Sequence, residues 1–181
     1  MAAARAGDGN ALDALLRRHY DRVYALCRRM AGNDADAADA TQEALIAVVR
    51  GLPRFDGRSR FTTWLHRVAV NACLDELRRR QRRPVPVADG TRPPDVAIDG
   101  SSAVADRIDI DAALRLLPLE FRTAVVLRDL CALDYAEIAE VLGVPIGTVR
   151  SRIARGRAAL VPLLDPTGNH EPADRRPTPQ P

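Results

Sequence analysis

The chain has 181 residues, which is enough for one ordinary domain or two small ones. An aromatic content of 4% is low for a sheet protein and favours helices with small alanine- and leucine-rich cores. The net charge of +3 is modest, and no apolar run approaches the ~20 residues that cross a bilayer. Because the amino terminus also lacks a signal-peptide core, we predict a cytoplasmic protein without stable membrane insertion.

Three helices are predicted in the first part of the chain. The first runs from Ala11 to Met30, and the second begins at Asp34 and ends near Pro53. The third begins at Phe61 and runs into the segment Arg78–Arg83, where five of six residues are arginine. All three have apolar residues at helical spacing, so we expect them to pack into one helical unit.

Composition divides the chain into two parts. Segment 84–105 contains four prolines, two glycines and two serines, which predicts a flexible linker. Five prolines fall in residues 166–181, which are predicted to form a disordered tail. We therefore predict an all-α protein with two small helical domains, 1–83 and 106–165, joined by that linker.

The stretch from Asp134 to Leu160 predicts two helices joined by a tight turn. Asp134 and Glu137 have the spacing of a capping box at the start of the first helix. Gly143 is placed for a left-handed C-terminal cap, and Pro145 suits the first turn of the second helix. Two further helices are predicted before this stretch: Asp106–Leu117 and Pro118–Leu130.

The second helix of this pair has two chemically distinct faces. Its apolar face consists of Val149, Ile153, Gly156 and Leu160. The opposite face carries Thr148, Ser151, Arg152 and Arg155, flanked by Arg150 and Arg157. Arginine can bind a guanine edge bidentately or hold a phosphate, so the pattern favours a helix-turn-helix that enters a major groove. The alternative is a solvated arginine face on an ordinary core helix.

The cysteines and histidines do not suggest a metal site. Cys27, Cys73 and Cys131 are widely spaced, and each has apolar neighbours at helical spacing. A metal site would need Cys or His paired at short spacing, and the three histidines provide none. We predict buried free thiols, with no metal and no cofactor.

Two blocks of the sequence resemble a known family. They are DADAADATQEALIAVVRGLPRFDGRSRFTTWLHRVAVNACLDELRRR and, later in the chain, DYAEIAEVLGVPIGTVRSRIARGRAAL. In this order they resemble the extracytoplasmic-function (ECF) sigma factors of the sigma-70 superfamily, and the resemblance extends from Leu12 to Leu164. It implies a bacterial transcription initiation factor with a region 2 domain followed by a region 4 domain.

The resemblance implies that residues near the start of the second helix bind core RNA polymerase. In the family this surface holds a coiled coil of the β′ subunit, and contact with the β subunit is implied as well. The matching residues are Asp36, Asp39, Gln42 and Glu43. Acids near a helix N-terminus also stabilise the helix, which is a sufficient explanation for Asp36 and an alternative explanation for Asp39, but not for the deeper Gln42 and Glu43.

The resemblance also implies that the first domain opens promoter DNA at the minus-10 element and holds a flipped base. Phe55 could supply an aromatic wall, Asn71 an edge-reading amide, and Arg58 and Arg60 contacts to the backbone. Three arginines at the end of the third helix are expected to bind promoter phosphates: Arg78, Arg79 and Arg80. The alternative is a solvated helix end whose arginines complement the helix dipole. Trp64 is expected to be a core residue rather than a wedge between bases.

In the second domain the resemblance implies recognition of the minus-35 element. The residues assigned to this contact are Thr148, Arg150, Ser151, Arg152 and Arg155. The sequence departs from many relatives at Ala154, where a larger residue is common, and at Gly156, where Ala is common. A glycine inside a helix should cost up to ~1 kcal/mol of helix stability.

We therefore predict a non-enzymatic initiation factor that binds core RNA polymerase and promoter DNA. It is expected to be monomeric when free and to be controlled by an anti-sigma factor, as members of this family commonly are. The alternative is a helix-turn-helix regulator that dimerises through its first domain and binds duplex DNA alone. An enzyme is disfavoured because no nucleophile, base and orienting group occur at a recognisable spacing.

Overall fold

The computed structural model describes residues 1–82 and 110–164, and all secondary structure within those residues is helical. The all-α fold predicted from the sequence is thus confirmed for the described residues. The amino-terminal half comprises α1 (Ala2–Arg5), α2 (Gly9–Ala31), α3 (Asp34–Gly51), a 3-10 turn (Leu52–Arg54) and α4 (Phe61–Arg82). The predicted linker, 84–105, and the predicted tail, 166–181, lie outside the described residues.

Local capping fixes the boundary between α2 and α3. Asp8 accepts a hydrogen bond from the Ala11 N–H at 3.0 Å, so α2 starts slightly before the predicted position. Gly32 adopts a left-handed conformation with φ of 82° and ends α2. Asn33 then accepts a hydrogen bond from the Asp36 N–H at 2.9 Å and starts α3.

The carboxy-terminal half comprises α5 (110–116), α6 (Leu119–Val125), a π-helical turn (Val126–Leu130), α7 (Tyr135–Leu142) and α8 (Ile146–Leu164). The sequence predicts one continuous helix from Pro118 to Leu130, whereas α6 ends at Val125 and the chain continues in the wider π turn. Pro145 immediately precedes α8 instead of occupying its first turn, and its carbonyl accepts the Thr148 N–H at 2.9 Å.

The ends of α7 agree with the sequence prediction. Asp134 Oδ1 accepts a hydrogen bond from the Glu137 N–H at 2.8 Å, and Glu137 Oε2 accepts one from the Asp134 N–H at 3.0 Å. This reciprocal capping box starts α7 at Tyr135. Gly143, with φ of 64°, ends the helix in the left-handed conformation. The two helices α7 and α8 therefore form the predicted helix-turn-helix pair.

One apolar core extends through both halves of the described chain. Its buried members include Leu26, Met30, Ala44, Val48, Leu65 and Ala69 in the first half and Leu127, Ile138, Val149 and Ile153 in the second. The sequence predicts two domains on a tether, and each would be small enough for its own core to be marginal. In the structure the two sets of helices bury apolar surface against each other. The bounds of the two domains stay a prediction.

Polar contacts also join the two halves. The Arg122 side chain donates a hydrogen bond through Nη1 to the Met30 carbonyl oxygen at 2.6 Å. Arg29 forms an ion pair with Asp111, and both side chains are less than one fifth exposed. Because these partners are mostly buried, they fix the orientation of one half relative to the other.

The three cysteines are free thiols, with Cys27 and Cys73 buried and Cys131 half-buried. Burial raises the pKa of the Cys131 thiol to about 12, so it stays protonated at neutral pH.

Among the residues with described positions, none of the helices has the length and apolar character needed to cross a membrane. The same residues contain no cluster of three His, Cys, Asp or Glu side chains that could hold a metal ion.

Gly156 lies where α8 approaches α6 most closely. A Cβ added at this position would be 2.6 Å from Val125 Cγ2 and 3.3 Å from the Phe121 carbonyl oxygen. We expect Gly156→Ala to lower the free energy of unfolding by about 1 to 2 kcal/mol, because overpacking outweighs the gain in helix propensity. Urea denaturation followed by circular dichroism measures the change. Gly147→Ala is the control, since an added Cβ there meets nothing within 4 Å and should cost no stability.

Candidate polymerase and nucleic-acid interfaces

Three of the four residues predicted to bind polymerase lie exposed on α3: Asp39, Gln42 and Glu43. Within the described residues, neither Asp39 nor Glu43 forms an ion pair. Asp36 differs because it is half-buried, accepts a hydrogen bond from the Asn33 amide at 2.7 Å and pairs with Arg80. Asp36 therefore has a structural role inside the protein, whereas the other three side chains face solvent.

An apolar groove of about 530 Å³ lies beside these residues on α2 and α3. Its lining includes Tyr20, Gln42, Leu45, Ile46 and Val49. Tyr20 is 45% exposed and Val49 is 40% exposed, so large apolar side chains are left in solvent here. Exposed apolar area of this kind, rimmed by polar groups, is typical of a surface that binds another protein.

The loop before α4 is shaped by a tight turn at Gly57, which has φ of 76°. Asp56 Oδ1 accepts a hydrogen bond from the Arg58 N–H at 3.1 Å, which is the geometry of an Asx turn. The side chains of Arg58 and Arg60 are 91% and 84% exposed. Both arginines predicted to contact DNA from this loop therefore lie at the surface.

An aromatic cluster lies under the loop. The Phe55 ring centroid is 5.3 Å from that of Trp64 and 6.0 Å from that of Phe61. Phe55 is only 8% exposed, so its ring is largely part of the protein interior. Trp64 is half-buried and packs against the core, in agreement with the role expected from its helical spacing.

A pocket of about 350 Å³ opens between the loop and α4. It is lined by Arg54, Phe55, Asp56, Arg58, Ser59, Trp64, Arg67 and Glu140. An aromatic wall beside several arginines suits an unstacked base and its phosphates. Arg67 was not predicted from the sequence as a site residue. Arg67 lies three residues after Trp64 and four before Asn71, on the same face of α4, and this spacing could have identified it from the sequence.

Asn71 does not line this pocket. It is exposed farther along α4, about 10 Å from Trp64 at 1.5 Å per residue. There it lines a separate groove of about 280 Å³ with Glu43, Val68 and Asp75. The structure therefore places Phe55 and Asn71, which were expected to serve one base, in neighbouring rather than identical cavities.

Each arginine of the predicted phosphate-binding run forms an ion pair inside the protein. Arg78 pairs with Asp75 at 2.9 Å, Arg79 with Glu76 at 2.8 Å, and Arg80 with Asp36. All three arginine side chains remain more than half exposed. Binding of a phosphate at this site would therefore add to, or replace, an existing carboxylate contact.

The five residues predicted to read the minus-35 element divide into two groups on α8. Arg150, Ser151 and Arg155 are exposed, whereas Thr148 and Arg152 are half-buried. The Ser151 hydroxyl donates a hydrogen bond to the Thr148 carbonyl oxygen at 2.9 Å. The Arg152 side chain is 24% exposed and lies 3.3 Å from Glu120 of α6, so its guanidinium is directed toward the protein.

Arg150 and Arg157, at the edge of α8, each contact a side chain of the same carboxy-terminal half. The Arg150 guanidinium lies over the Tyr135 ring, 5.6 Å from its centroid. Arg157 donates from Nε to Asp129 at 3.1 Å. These contacts orient basic groups along one side of the helix.

The two halves of the chain each match a family model. Residues 15–83 match Sigma-70 region 2, and residues 107–160 match Sigma-70 region 4. The chain is 41% identical over 164 residues to the ECF RNA polymerase sigma factor SigM of Mycobacterium tuberculosis, covering 91% of this chain and 82% of the relative. The chain belongs to the ECF sigma factors. It is therefore a transcription initiation factor, as its resemblance to this family implied.

Further similarities support this assignment. The sigma factor is 34% identical over 172 residues to the ECF RNA polymerase sigma factor SigW of Bacillus subtilis, covering 85% of this chain and 89% of the relative. The solved complex of the sigma factor RpoE with the anti-sigma factor NepR from Bartonella quintana matches with a TM-score of 0.71 and 27% identity, covering 84% of this chain and 96% of that chain. CnrH in complex with the cytosolic domain of CnrY matches with a TM-score of 0.69 and 26% identity, covering 91% and 94%. Each of the two structural matches covers more than four fifths of this chain, so each includes both halves.

His66 is buried in this sigma factor, on the face of α4 near α2 and α7. It is 2% exposed, and neither ring nitrogen has a hydrogen-bond partner among the described residues. Burial, reinforced by the charges of Arg22 and His19, lowers the pKa of His66 from 6.5 to about 4, although Glu137 acts in the opposite direction. The folded protein therefore keeps His66 neutral at pH values where the unfolded chain would protonate it.

Because of this histidine, the free energy of unfolding should decrease as the pH is lowered. Below pH 6.5 the unfolded state binds a proton that the folded state does not bind until about pH 4. We expect His66 alone to lower the free energy of unfolding by about 2 kcal/mol between pH 7 and pH 5. Urea denaturation at both pH values measures the loss, and His66→Gln should reduce it. An unchanged pH dependence in His66→Gln would assign the loss to other groups.

Proposed function

We propose that this sigma factor binds core RNA polymerase, directs it to promoters with minus-10 and minus-35 elements, and assists melting at the minus-10 element. The observation that carries the proposal is the exposed arginine and hydroxyl face of α8, within the segment that matches Sigma-70 region 4. The factor acts without an enzymatic step of its own, because binding energy to polymerase and DNA is sufficient to select and open a promoter.

At the minus-35 element, Arg150, Ser151 and Arg155 make the contacts from the major groove. Their exposure on one side of α8 supports this role. Thr148 lies at the start of the same face and orients Ser151. Arg152 contributes only if it leaves Glu120, which it reaches at 3.3 Å in the free protein.

At the minus-10 element, a base leaves the stack and enters the pocket between the loop and α4. Trp64 and the edge of Phe55 form its apolar wall, and Arg58 and Arg60 hold the backbone. Asn71 contacts a neighbouring nucleotide rather than the same one, because it lines the next groove along α4. Arg78, Arg79 and Arg80 bind phosphates beyond it.

At core polymerase, Asp39, Gln42 and Glu43 contact the β′ coiled coil. Their exposure and the adjacent apolar groove support this role. Asp36 contributes indirectly by holding Arg80 and the start of α3. The β subunit is expected to contact the factor elsewhere.

An anti-sigma factor holds this protein inactive in the bacterial cytoplasm, where the free factor is a monomer. Support comes from the two similar solved structures, which are complexes of RpoE with the anti-sigma factor NepR and of CnrH with CnrY. The exposed groove beside Asp39 is a surface at which such a protein could compete with polymerase.

Co-elution with sigma-free bacterial core RNA polymerase, followed by run-off transcription from promoters of its own genome, tests the proposal. We expect a stoichiometric complex and promoter-dependent transcripts. A protein that stays free of polymerase, dimerises and binds duplex DNA tightly by itself would instead be a helix-turn-helix regulator.

A further inference from the structure

The pocket between the loop and α4 contains a carboxylate that forms no hydrogen bond within the described residues. It belongs to Glu140 of α7, and its ion-pair partner Arg67 lies 4.0 Å away, beyond hydrogen-bonding distance. The other acid in the lining, Asp56, is already engaged. It accepts the Arg58 N–H at 3.1 Å and lies 3.1 Å from Arg58 Nε. Among the described residues, Glu140 is therefore the carboxylate of this pocket that is available to a ligand.

The position of Glu140 is fixed by the packing of α7 against α4. Glu137, one turn earlier on α7, accepts a hydrogen bond from the Thr63 hydroxyl at 3.1 Å, and Thr63 is 2% exposed. Ile138 is fully buried in the same core as Leu65 of α4. The Glu140 side chain itself is 43% exposed. Its carboxylate is thus held at the pocket and remains accessible to a small molecule.

Aromatic and basic groups line the rest of the pocket. Trp64 and the edge of Phe55 provide a surface on which a base can stack. Three guanidinium groups suited to phosphate oxygens come from Arg54, Arg58 and Arg67. The volume of about 350 Å³ is at the small end of the range of small-molecule sites. The pocket therefore combines the groups that bind a nucleotide.

The carboxylate favours one base over the others. The Watson–Crick edge of guanine has two adjacent donors, N1–H and the N2 amino group, which match the two oxygens of a carboxylate. Adenine has one amino donor on this edge, and its N1 is an acceptor that would face a carboxylate oxygen. Cytosine and uracil each have one donor group there. Guanine is therefore the common base that satisfies both oxygens of Glu140 at once.

We propose that this pocket binds a free guanine nucleotide, a guanosine mono- or diphosphate. The base stacks on Trp64, its Watson–Crick edge donates to Glu140, and its phosphates lie against the arginines of the pocket. Nucleotide binding itself does not depend on the proposed function. One consequence rests on that function: a flipped promoter base would use the same aromatic wall, so the nucleotide and the minus-10 strand exclude each other.

Energy transfer from tryptophan measures nucleotide binding to the full-length protein. The chain has one tryptophan, Trp64, so GDP that carries an N-methylanthraniloyl fluorophore on its ribose is excited through this residue alone. We expect saturable energy transfer and about tenfold higher affinity than for ADP with the same label, because adenine lacks one of the two charge-assisted hydrogen bonds. Displacement by unlabelled GDP verifies that the nucleotide, and not the fluorophore, is bound.

Glu140→Gln tests the contact with the base. An amide keeps one acceptor and places a donor against the donors of guanine, so the tenfold preference for guanine over adenine should disappear. The ratio of the two affinities is the readout, since the lost negative charge raises the attraction for both sets of phosphates alike. Asp13→Asn is the matched control, because it removes the same charge from an exposed position on α2 and should keep the preference.

Arg54→Ala tests the contact with the phosphates. Arg54 is exposed and forms no ion pair within the described residues, so its loss should not disturb the fold. We expect the affinities for GDP and ADP to fall together, about tenfold, with the preference for guanine retained. Arg17→Ala removes the same charge from an 80% exposed side chain on α2 and should leave both affinities unchanged.

The outcomes separate a guanine site from general attraction of anions. Absence of saturable transfer up to about 1 mM nucleotide, which corresponds to a binding free energy weaker than about 4 kcal/mol, would overturn the site. Equal affinity for GDP and ADP, or a preference that persists in Glu140→Gln, would overturn the assignment to guanine. These measurements use neither DNA nor polymerase, so they decide nucleotide binding even if co-elution with core polymerase fails.

A competition experiment tests the exclusion. A single-stranded minus-10 oligonucleotide should displace labelled GDP from the protein as its concentration rises. Simultaneous binding of both would overturn the exclusion and place the flipped base outside this pocket.

Discussion

Changing Asp39 and Glu43 together to arginine should release this sigma factor from core RNA polymerase. Both acids are exposed on α3, and Glu43 is one turn beyond Asp39, so they form a single negative patch. A partner surface that is complementary to two carboxylates would face two arginines, and such like-charge contacts cost several kcal/mol. We expect affinity to fall about 1,000-fold, measured by titration of a labelled factor with core polymerase and by co-elution.

The control for this variant keeps the same change in charge at another exposed surface. Asp13→Arg with Asp21→Arg makes the same charge reversal on α2, at residues that do not line the groove beside Asp39. This control variant should still co-elute with polymerase. Equal loss in both variants would mean that net charge, not the α3 patch, governs the interaction.

The sequence predicted those parts of the fold that depend on local chemistry. The capping box at Asp134, the left-handed Gly143 and the apolar stripe of α8 each act within a few residues, and all three are present. The π turn at 126–130 was not predicted, because a single widened turn of five residues is too short to show a periodicity distinct from that of the helix it extends.

The contact between the two halves could not be predicted in the same way. Thr63 and Glu137 are 74 residues apart, and neither has an unusual neighbour in the sequence. Ile138 and Leu65 each fit an ordinary apolar stripe, so periodicity indicates that they are buried but does not indicate which residues they pack against. The long segment 84–105 also suggested independence of the two halves, whereas the apolar core continues from one to the other.

In the candidate sites, too, features that depend on neighbouring residues could be predicted, whereas contacts with residues far away in the sequence could not. Residue type and spacing correctly predicted that Arg150, Ser151 and Arg155 share the solvent side of α8. They could not reveal that Arg152 turns toward Glu120, because that partner lies 32 residues earlier in the chain. Gly156 was interpreted as a weakness of the helix, yet the close approach of Val125 gives it a packing role.

Removing the Arg155 side chain should weaken promoter-specific binding more than any other single truncation on α8. Arg155 is exposed on the predicted DNA face and forms no ion pair within the described residues, so its guanidinium is free of the contact that restrains Arg152. A bidentate contact to a base is worth about 1 to 3 kcal/mol, so Arg155→Ala should reduce promoter affinity of the holoenzyme about 10- to 100-fold. Co-elution with core polymerase should be unchanged.

The pattern of loss across promoter variants and salt concentrations identifies what Arg155 touches. If it reads a base, Arg155→Ala relaxes specificity at one position of the minus-35 element; if it holds a phosphate, all sequences weaken alike and the salt slope falls by about one. Arg17→Ala is the matched control, since it removes one positive charge from an 80% exposed side chain on α2, far from α8 in sequence. Because nonspecific attraction would be lost equally in both variants, equal weakening would remove Arg155 from the minus-35 contact.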